Sequence, residues 1–376
     1  MKLFFAYILT FVVLICPFNT YAIAESAKSA VLIEKQTGEI IFQKNANERL
    51  PMASTTKIMT AICAIESDML YENVKIDDRA VGIEGSSIYL EKGESMKLID
   101  LCYGLMLNSG NDAACAIAYA VSGSIESFVE LMNLKAEELG LKDTHFDNPN
   151  GLDGKTHYTT AYELAKITQY ALNNKTFAKI VSTKRTEIPN TNKKYSRYLK
   201  NHNKLLNMYD GCTGVKTGFT RKSGRCLVSS AQKNRMELIC VTLNDPDDWN
   251  SHIGMFNYGF NNYSLFTPLK KGSYIASVPV KGMPKGYVKL FAEQDASFLL
   301  RNGDEKRFKL KYNLPESLKA PLKYGDICAD FEVSSGEKTL VINAVCKSVL
   351  KKQYKTNYKS MYKALLKEFF IKNKGF

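Results

Sequence analysis

Two pairs of short apolar runs, one near each end of a helix-rich stretch, most constrain how this chain folds. Residues 30–33 and 40–42 are apolar and flank Gln36-Thr37-Gly38-Glu39, the pattern of two strands around a glycine turn. Residues 227–230 and 238–243 repeat the pattern around Lys233-Asn234. Between the pairs, apolar residues recur at helical spacing over 55–65, 98–107, 112–121, 124–139 and 160–172. Strands at both ends with helices between them predict an α+β domain whose terminal strands meet in one antiparallel sheet flanked by helices.

Beyond Phe260 the pattern changes. Short β-like runs at 273–280, 287–292, 307–312, 327–333 and 339–346 are punctuated by glycine and proline, which predicts a small β-rich domain beginning near Leu265. The expected division is a signal peptide at 1–24, a catalytic domain at 25–264, a β-rich domain at 265–346 and a basic tail at 347–376.

The ends carry the addressing information. Lys2 followed by an apolar run through Ile15, with Ala22-Ile23-Ala24 behind it, reads as a secretory signal; an uncleaved N-terminal anchor is the alternative. Ile15 before Cys16 disfavours a lipoprotein anchor. Eight cysteines remain outside the signal, and Cys63, Cys102, Cys115, Cys226, Cys240 and Cys346 sit in apolar surroundings without close pairs, so mostly free thiols are expected. No Cys-x-x-Cys or His-Glu-x-x-His occurs, and no metal or cofactor is expected.

The net charge of +13 is unevenly spread: nine lysines against Glu368 alone give residues 347–376 a balance of +8. The excess is therefore local, which argues against nucleic acid as a partner. Within it, Tyr354, Tyr358, Met361, Tyr362, Leu365, Phe369 and Phe370 fall on one helical stripe beside Lys355, Lys359, Lys363 and Lys367. An amphipathic basic helix of this kind fits a membrane surface; a helix packed on its own protein is the alternative.

Three short motifs carry the chemistry: Ser54-Thr55-Thr56-Lys57, Ser109-Gly110-Asn111 and Lys216-Thr217-Gly218. A serine three residues before a lysine at a helix start puts both on one face, so the amine reaches the hydroxyl. A protonated lysine is no base, but burial and the positive charge of Lys216 would both lower the Lys57 pKa. Ser109 can relay a proton between the two lysines, and Asn111 can orient Lys57 or hold a substrate amide. Val215 and Gly214 place Lys216-Thr217-Gly218 on an edge strand, where Gly218 would let a peptide lie close. Each motif alone is commonplace; their order and context make the signal.

The set resembles the active-site serine penicillin-recognising enzymes, a β-lactamase/transpeptidase-like fold. Within them, Pro51 to Thr60, Ser109 to Ala114, Asn148-Pro149-Asn150-Gly151-Leu152-Asp153 and Gly214 to Thr220 look like segments of the low-molecular-weight D-alanyl-D-alanine carboxypeptidases. The resemblance is strong over 30–260 and looser over 265–346. It implies that Ser54 attacks the bond between two D-alanines of a peptidoglycan stem peptide, with Lys57 as base, and that β-lactam antibiotics acylate the same serine. It also implies an oxyanion hole from the backbone N–H groups of Ser54 and Phe219, and an exported bacterial enzyme, secreted or at the outer face of the cytoplasmic membrane.

One departure stands out. Relatives often carry a carboxylate-binding arginine in the loop before the last helix of this domain, and residues 244–252 contain none. Lys216 and Thr217, or a different group, would have to serve; Trp249 and His252 are candidates, although a packing tryptophan and a surface histidine are the simpler readings. Two other functions stay open: a β-lactamase-like hydrolase, for which Glu163 would have to activate water despite its helical context, and a catalytically silent wall-binding module.

Overall fold

The computed structural model describes residues 24, 26–193, 195–281 and 286–349. Almost all of the expected signal (1–24) and of the basic tail (347–376) lies outside the described residues. Contacts divide the chain into two compact units, one comprising residues up to 33, 40–232 and 238–259, the other 34–39, 233–237 and the described residues from 260 on.

The first unit is built on a five-stranded sheet. β1 (Ser29–Glu34) and β2 (Ile40–Lys44) form the N-terminal hairpin; β3 (Asn73–Lys75) and β4 (Ser95–Lys97) pair apart from the sheet, as do β5 (Arg185–Ile188) and β6 (Arg197–Lys200). β7 (Cys212–Thr220), β8 (Gly224–Lys233) and β9 (Met236–Leu243) complete the main sheet in the order β2-β1-β9-β8-β7. The two ends of the chain segment meet as the apolar runs predict: Lys35 N donates to Glu237 O and Lys28 N to Asn244 O, an antiparallel register. β1 is buried along its whole length, which is why it carries an unbroken apolar run and not an alternating one. β7 lies at the sheet edge, so one side of its backbone is left for another partner.

Among the described residues eight helices accompany this sheet: α1 (Lys57–Glu66), α2 (Leu98–Leu107), α3 (Asn111–Ser122), α4 (Ile125–Glu138), α5 (Ala161–Leu172), α6 (Lys175–Ser182), α7 (Leu205–Met208) and α8 (Asp248–Asn262). α1 is almost wholly buried and packs on α2, α3, α4, α5 and α6, which makes it the axis of the helical core. A helix in that position has no wet face, hence Ile58, Met59, Ala61, Ile62, Ala64 and Ile65 in sequence. The start of this element differs from expectation: residues 53–56 form a 3-10 turn, and the α-helix begins only at Lys57. No single described helix is long and apolar enough to cross a membrane.

The second unit contains β10 (Tyr263–Leu269), β11 (Tyr274–Lys281), β12 (Tyr287–Ala292), β13 (Ala296–Arg301), β14 (Lys309–Asn313), β15 (Leu318–Lys319), β16 (Ile327–Ser335) and β17 (Lys338–Cys346). Six of them form the sheet β14-β16-β17-β12-β11-β15, and β10 pairs with β13. The five predicted runs fall on β11, β12, β14, β16 and β17. Ile275, Val278 and Val280 of β11 are buried, and with Leu290, Phe298, Phe331 and Ile342 they belong to the core.

None of the eight described cysteines is in a disulfide. Burial pushes the Cys63 and Cys102 thiols up to about 12, which keeps them protonated and inert. Cys328, which is not among the six cysteines expected to lie apart, stands beside Cys346 on the neighbouring strands β16 and β17.

Candidate active site

The site forms where the 3-10 turn ahead of α1, the turn ahead of α3 and the edge strand β7 converge. Ser54 sits in the 3-10 turn and Lys57 opens α1, so both side chains lie on one face, with Lys57 Nζ 2.9 Å from Ser54 Oγ. Lys57 is fully buried. Its amine also donates to Asn111 Oδ1 at 2.7 Å and to the main-chain carbonyl of Asn150. The carbonyl can only accept, and Asn111 is oriented with its amide nitrogen on Glu84 O at 2.6 Å, leaving its oxygen for the lysine. A neutral amine that donates two N–H bonds to these oxygens turns its lone pair toward Ser54 Oγ.

The electrostatics favour that neutral form. Burial, and secondly the neighbouring Lys216, push the Lys57 pKa well below the usual lysine value. Lys216, equally buried on β7, is brought down to about 7 by burial. Its ammonium donates to Ser109 Oγ at 3.1 Å and to Thr217 O at 2.7 Å.

Two residues of the site carry backbone strain. Ala53 and Ser109 are both in the left-handed region, at φ 47° and 60°, a conformation that costs a non-glycine residue about 1–2 kcal/mol. Asp112 holds the loop beside Ser109: its carboxylate accepts from Ile88 N, Leu90 N and Ser87 Oγ. Glycines allow the close approaches. A Cβ on Gly218 would lie 3.1 Å from both Ala53 Cβ and Ser54 N, so its small size serves the approach of β7 to the Ser54 turn. A Cβ on Gly151 would lie 2.1 Å from Ala53 O.

Ser54, Ser109, Thr217, Gly218 and Phe219 line a cleft of about 320 Å³. Ser54, Ser109, Thr217, Gly218 and Phe219 are thus on this cleft, and Lys57, Asn111 and Lys216 are hydrogen-bonded at its floor. Among the described residues no three His, Cys, Asp or Glu side chains gather in an arrangement able to hold a metal ion.

The arrangement is matched by family comparison. Residues 18–247 match the D-alanyl-D-alanine carboxypeptidase family of peptidases, more than half of the chain. The chain belongs to this family.

Residues 263–359 match the C-terminal domain of penicillin-binding protein 5. Among curated relatives, D-alanyl-D-alanine carboxypeptidase DacF of Bacillus subtilis is 36% identical over 317 residues, covering 82% of this chain and 81% of its own length. DacC of Escherichia coli, also a D-alanyl-D-alanine carboxypeptidase, is 31% identical over 342 residues, 84% of this chain and 81% of that protein. Penicillin-binding protein 5 of Haemophilus influenzae superposes with a TM-score of 0.71 at 28% identity, covering 87% of this chain and 98% of that one.

Several residues of this carboxypeptidase fall elsewhere than its sequence suggests. His252 is no surface histidine: it is wholly buried between Ser229 Oγ and Thr242 Oγ1, and burial holds its pKa down to about 3. It cannot grip a substrate. Glu163 lies in the first turn of α5, where its carboxylate accepts from Lys142 N, Asp143 N and Thr144 Oγ1, a structural anchor and not a water activator. Trp249 does line the cleft, together with Ser86, His202, Arg225 and Asp248, four residues not singled out in the sequence. The missed acceptor Asn150 O lay within a segment whose family likeness was visible, but no side-chain chemistry marks a carbonyl.

Proposed function

We propose that Ser54 is the acylating nucleophile and Lys57 its proton acceptor, and that the stem peptide extends along the free edge of β7. The activity is that of the family, a serine-type D-alanyl-D-alanine carboxypeptidase acting on peptidoglycan peptides and binding β-lactams. The observation that carries the assignment is the Lys57 amine, whose two other oxygen partners leave its lone pair to Ser54.

Ser54 Oγ attacks the carbonyl of the penultimate D-alanine as Lys57 takes its proton. The oxyanion is received by the N–H groups of Ser54 and Phe219, brought together by the close approach at Gly218. The C–N bond breaks; Ser109 hands its proton to the departing amine and is reprotonated by Lys216, and the proton held by Lys57 is relayed on to Lys216, which leaves Lys57 neutral again. Water, deprotonated by Lys57, then attacks the ester on Ser54 and frees the peptide acid. A β-lactam enters the same first step.

The enzyme works on the cell wall and is accordingly exported. We assign residues 1–24 to the export signal, 25–264 to the catalytic domain, 265–346 to the β-rich domain and 347–376 to a membrane-surface helix. Removing 347–376 is expected to move activity from membranes to the soluble fraction; unchanged sedimentation contradicts the anchor. The catalytic reading is tested by incubating the protein with diacetyl-Lys-D-Ala-D-Ala: D-alanine release by the wild type and none by Ser54→Ala is expected, and release by the variant overturns it.

A further inference from the structure

A carboxypeptidase must tell a free terminal carboxylate from an amide, and that task needs a cation on the wall of the cleft. Neither active-site lysine is free for it. Lys57 is enclosed by Ser54, Asn111 and Asn150, and Lys216 by Ser109 and the Thr217 carbonyl. His202, also on the cleft, has its pKa lowered by burial and by Lys216, which keeps it neutral. Among the described residues that line the cleft, Arg225 is the one with a permanent positive charge.

Its placement suits the task. Arg225 stands on β8 directly across from Phe219 of β7, so it flanks the same strand whose Lys216-Thr217-Gly218 faces Ser54. The guanidinium is held from two sides. Nη2 donates to Asp248 Oδ1 at 2.5 Å, and its centre lies 5.5 Å from the Trp249 ring. Asp248 is nearly buried while the Arg225 side chain is 40% exposed, so the acid fixes the arginine from behind and leaves it open to the cleft. The fork is under-used: among the described residues Asp248 is its one acceptor, through Nη2, while the side chain stays 40% exposed. A planar fork with unmatched donors at the mouth of a cleft is the geometry that receives a carboxylate.

We propose that Arg225 grips the terminal carboxylate of the substrate, with Asp248 and Trp249 as the positioning residues that hold it. The proposal rests on the reading of Ser54 as the nucleophile of this cleft. It explains how the chain dispenses with an arginine in residues 244–252: the loop supplies Asp248 and Trp249 as the cradle, and the neighbouring strand supplies the cation.

The test compares diacetyl-Lys-D-Ala-D-Ala with its C-terminal amide, measuring kcat and KM for the full chain, Arg225→Gln, Arg225→Lys and Ser54→Ala, each checked for folding by circular dichroism. The wild type is expected to prefer the acid; Arg225→Gln should lose about 100-fold in kcat/KM on the acid, mainly through KM, and little on the amide. Arg225→Lys should show an intermediate preference, which keeps the proposal open to refutation if the glutamine variant does not fold. Added guanidinium ion should restore part of the lost acid turnover, which a purely structural role would not allow. An acid-to-amide ratio unchanged in the folded variants, with Ser54→Ala inactive, overturns the role of Arg225 alone. Turnover by Ser54→Ala overturns the site reading itself.

Discussion

Lys216 Nζ lies 3.1 Å from Ser109 Oγ, a single hydrogen bond that ties the edge strand β7 to the turn ahead of α3. Through it a second buried amine stands next to the Lys57–Ser54 pair, and after burial its charge is the second cause that lowers the Lys57 pKa.

Lys216→Gln removes that charge but not the burial. The Lys57 pKa should rise while staying below that of a free lysine, and the alkaline-going limb of the acylation rate should move to higher pH. A pH profile of penicillin acylation checks this; a limb that stays in place would show that Lys216 does not tune Lys57. Because the two amines interact, the limb reports the pair and not one lysine.

Gly151→Ala places a methyl group against Ala53 O at a residue with φ 88°. The loop must shift, taking the Asn150 carbonyl away from Lys57. We expect a stability loss of about 1–3 kcal/mol and slower acylation, measured by urea unfolding and by the acylation rate. Unaltered acylation would remove Asn150 O from the mechanism.

Two histidines make the fold acid-sensitive. His157 accepts from Asp147 N at Nδ1 and meets Thr56 Oγ1 at Nε2, and burial lowers its pKa from 6.5 to about 4; His252 is lowered to about 3. Between about 6.5 and 4 the unfolded chain therefore binds protons that the folded chain does not. Stability is complete above 6.5 and falls as the pH drops, by up to about 1.4 kcal/mol per unit for each histidine. Urea midpoints at pH 7 and 4.5 test the trend, and His157→Gln should flatten it.

Glu94 is wholly buried and pairs with both terminal nitrogens of Arg197, which also donates to Ile88 O and Tyr89 O beside the cleft. Glu94→Ala leaves a buried guanidinium without its partner, and a loss of about 3–5 kcal/mol is expected in thermal or urea unfolding. A loss under about 1 kcal/mol would mean that solvent reaches the arginine.

How much of this was legible in sequence follows from what kind of group acts. In the proposed mechanism Ser54, Lys57, Ser109, Asn111 and Lys216 act through side chains in fixed local spacings, and those spacings could be read. The sheet was legible because β1 and β9 are buried on both faces and must be continuously apolar. The Asn150 carbonyl left no side-chain signal, and the place of Arg225 depends on the register of β8 against β7, in which it stands opposite Phe219. Strand β10 was missed because Pro268 interrupts it and it follows α8 directly, and α6 because eight residues are too few for periodicity to speak. His252 was misplaced because nothing local shows that Ser229 and Thr242 will enclose it.

The central claim is that Ser54 is the acylated residue. Treating the protein with benzylpenicillin and locating the adduct by peptide mass spectrometry tests it directly. The account predicts a penicilloyl group on the peptide carrying Ser54 and none on Ser54→Ala; an adduct on any other residue, or one that persists in Ser54→Ala, would contradict it.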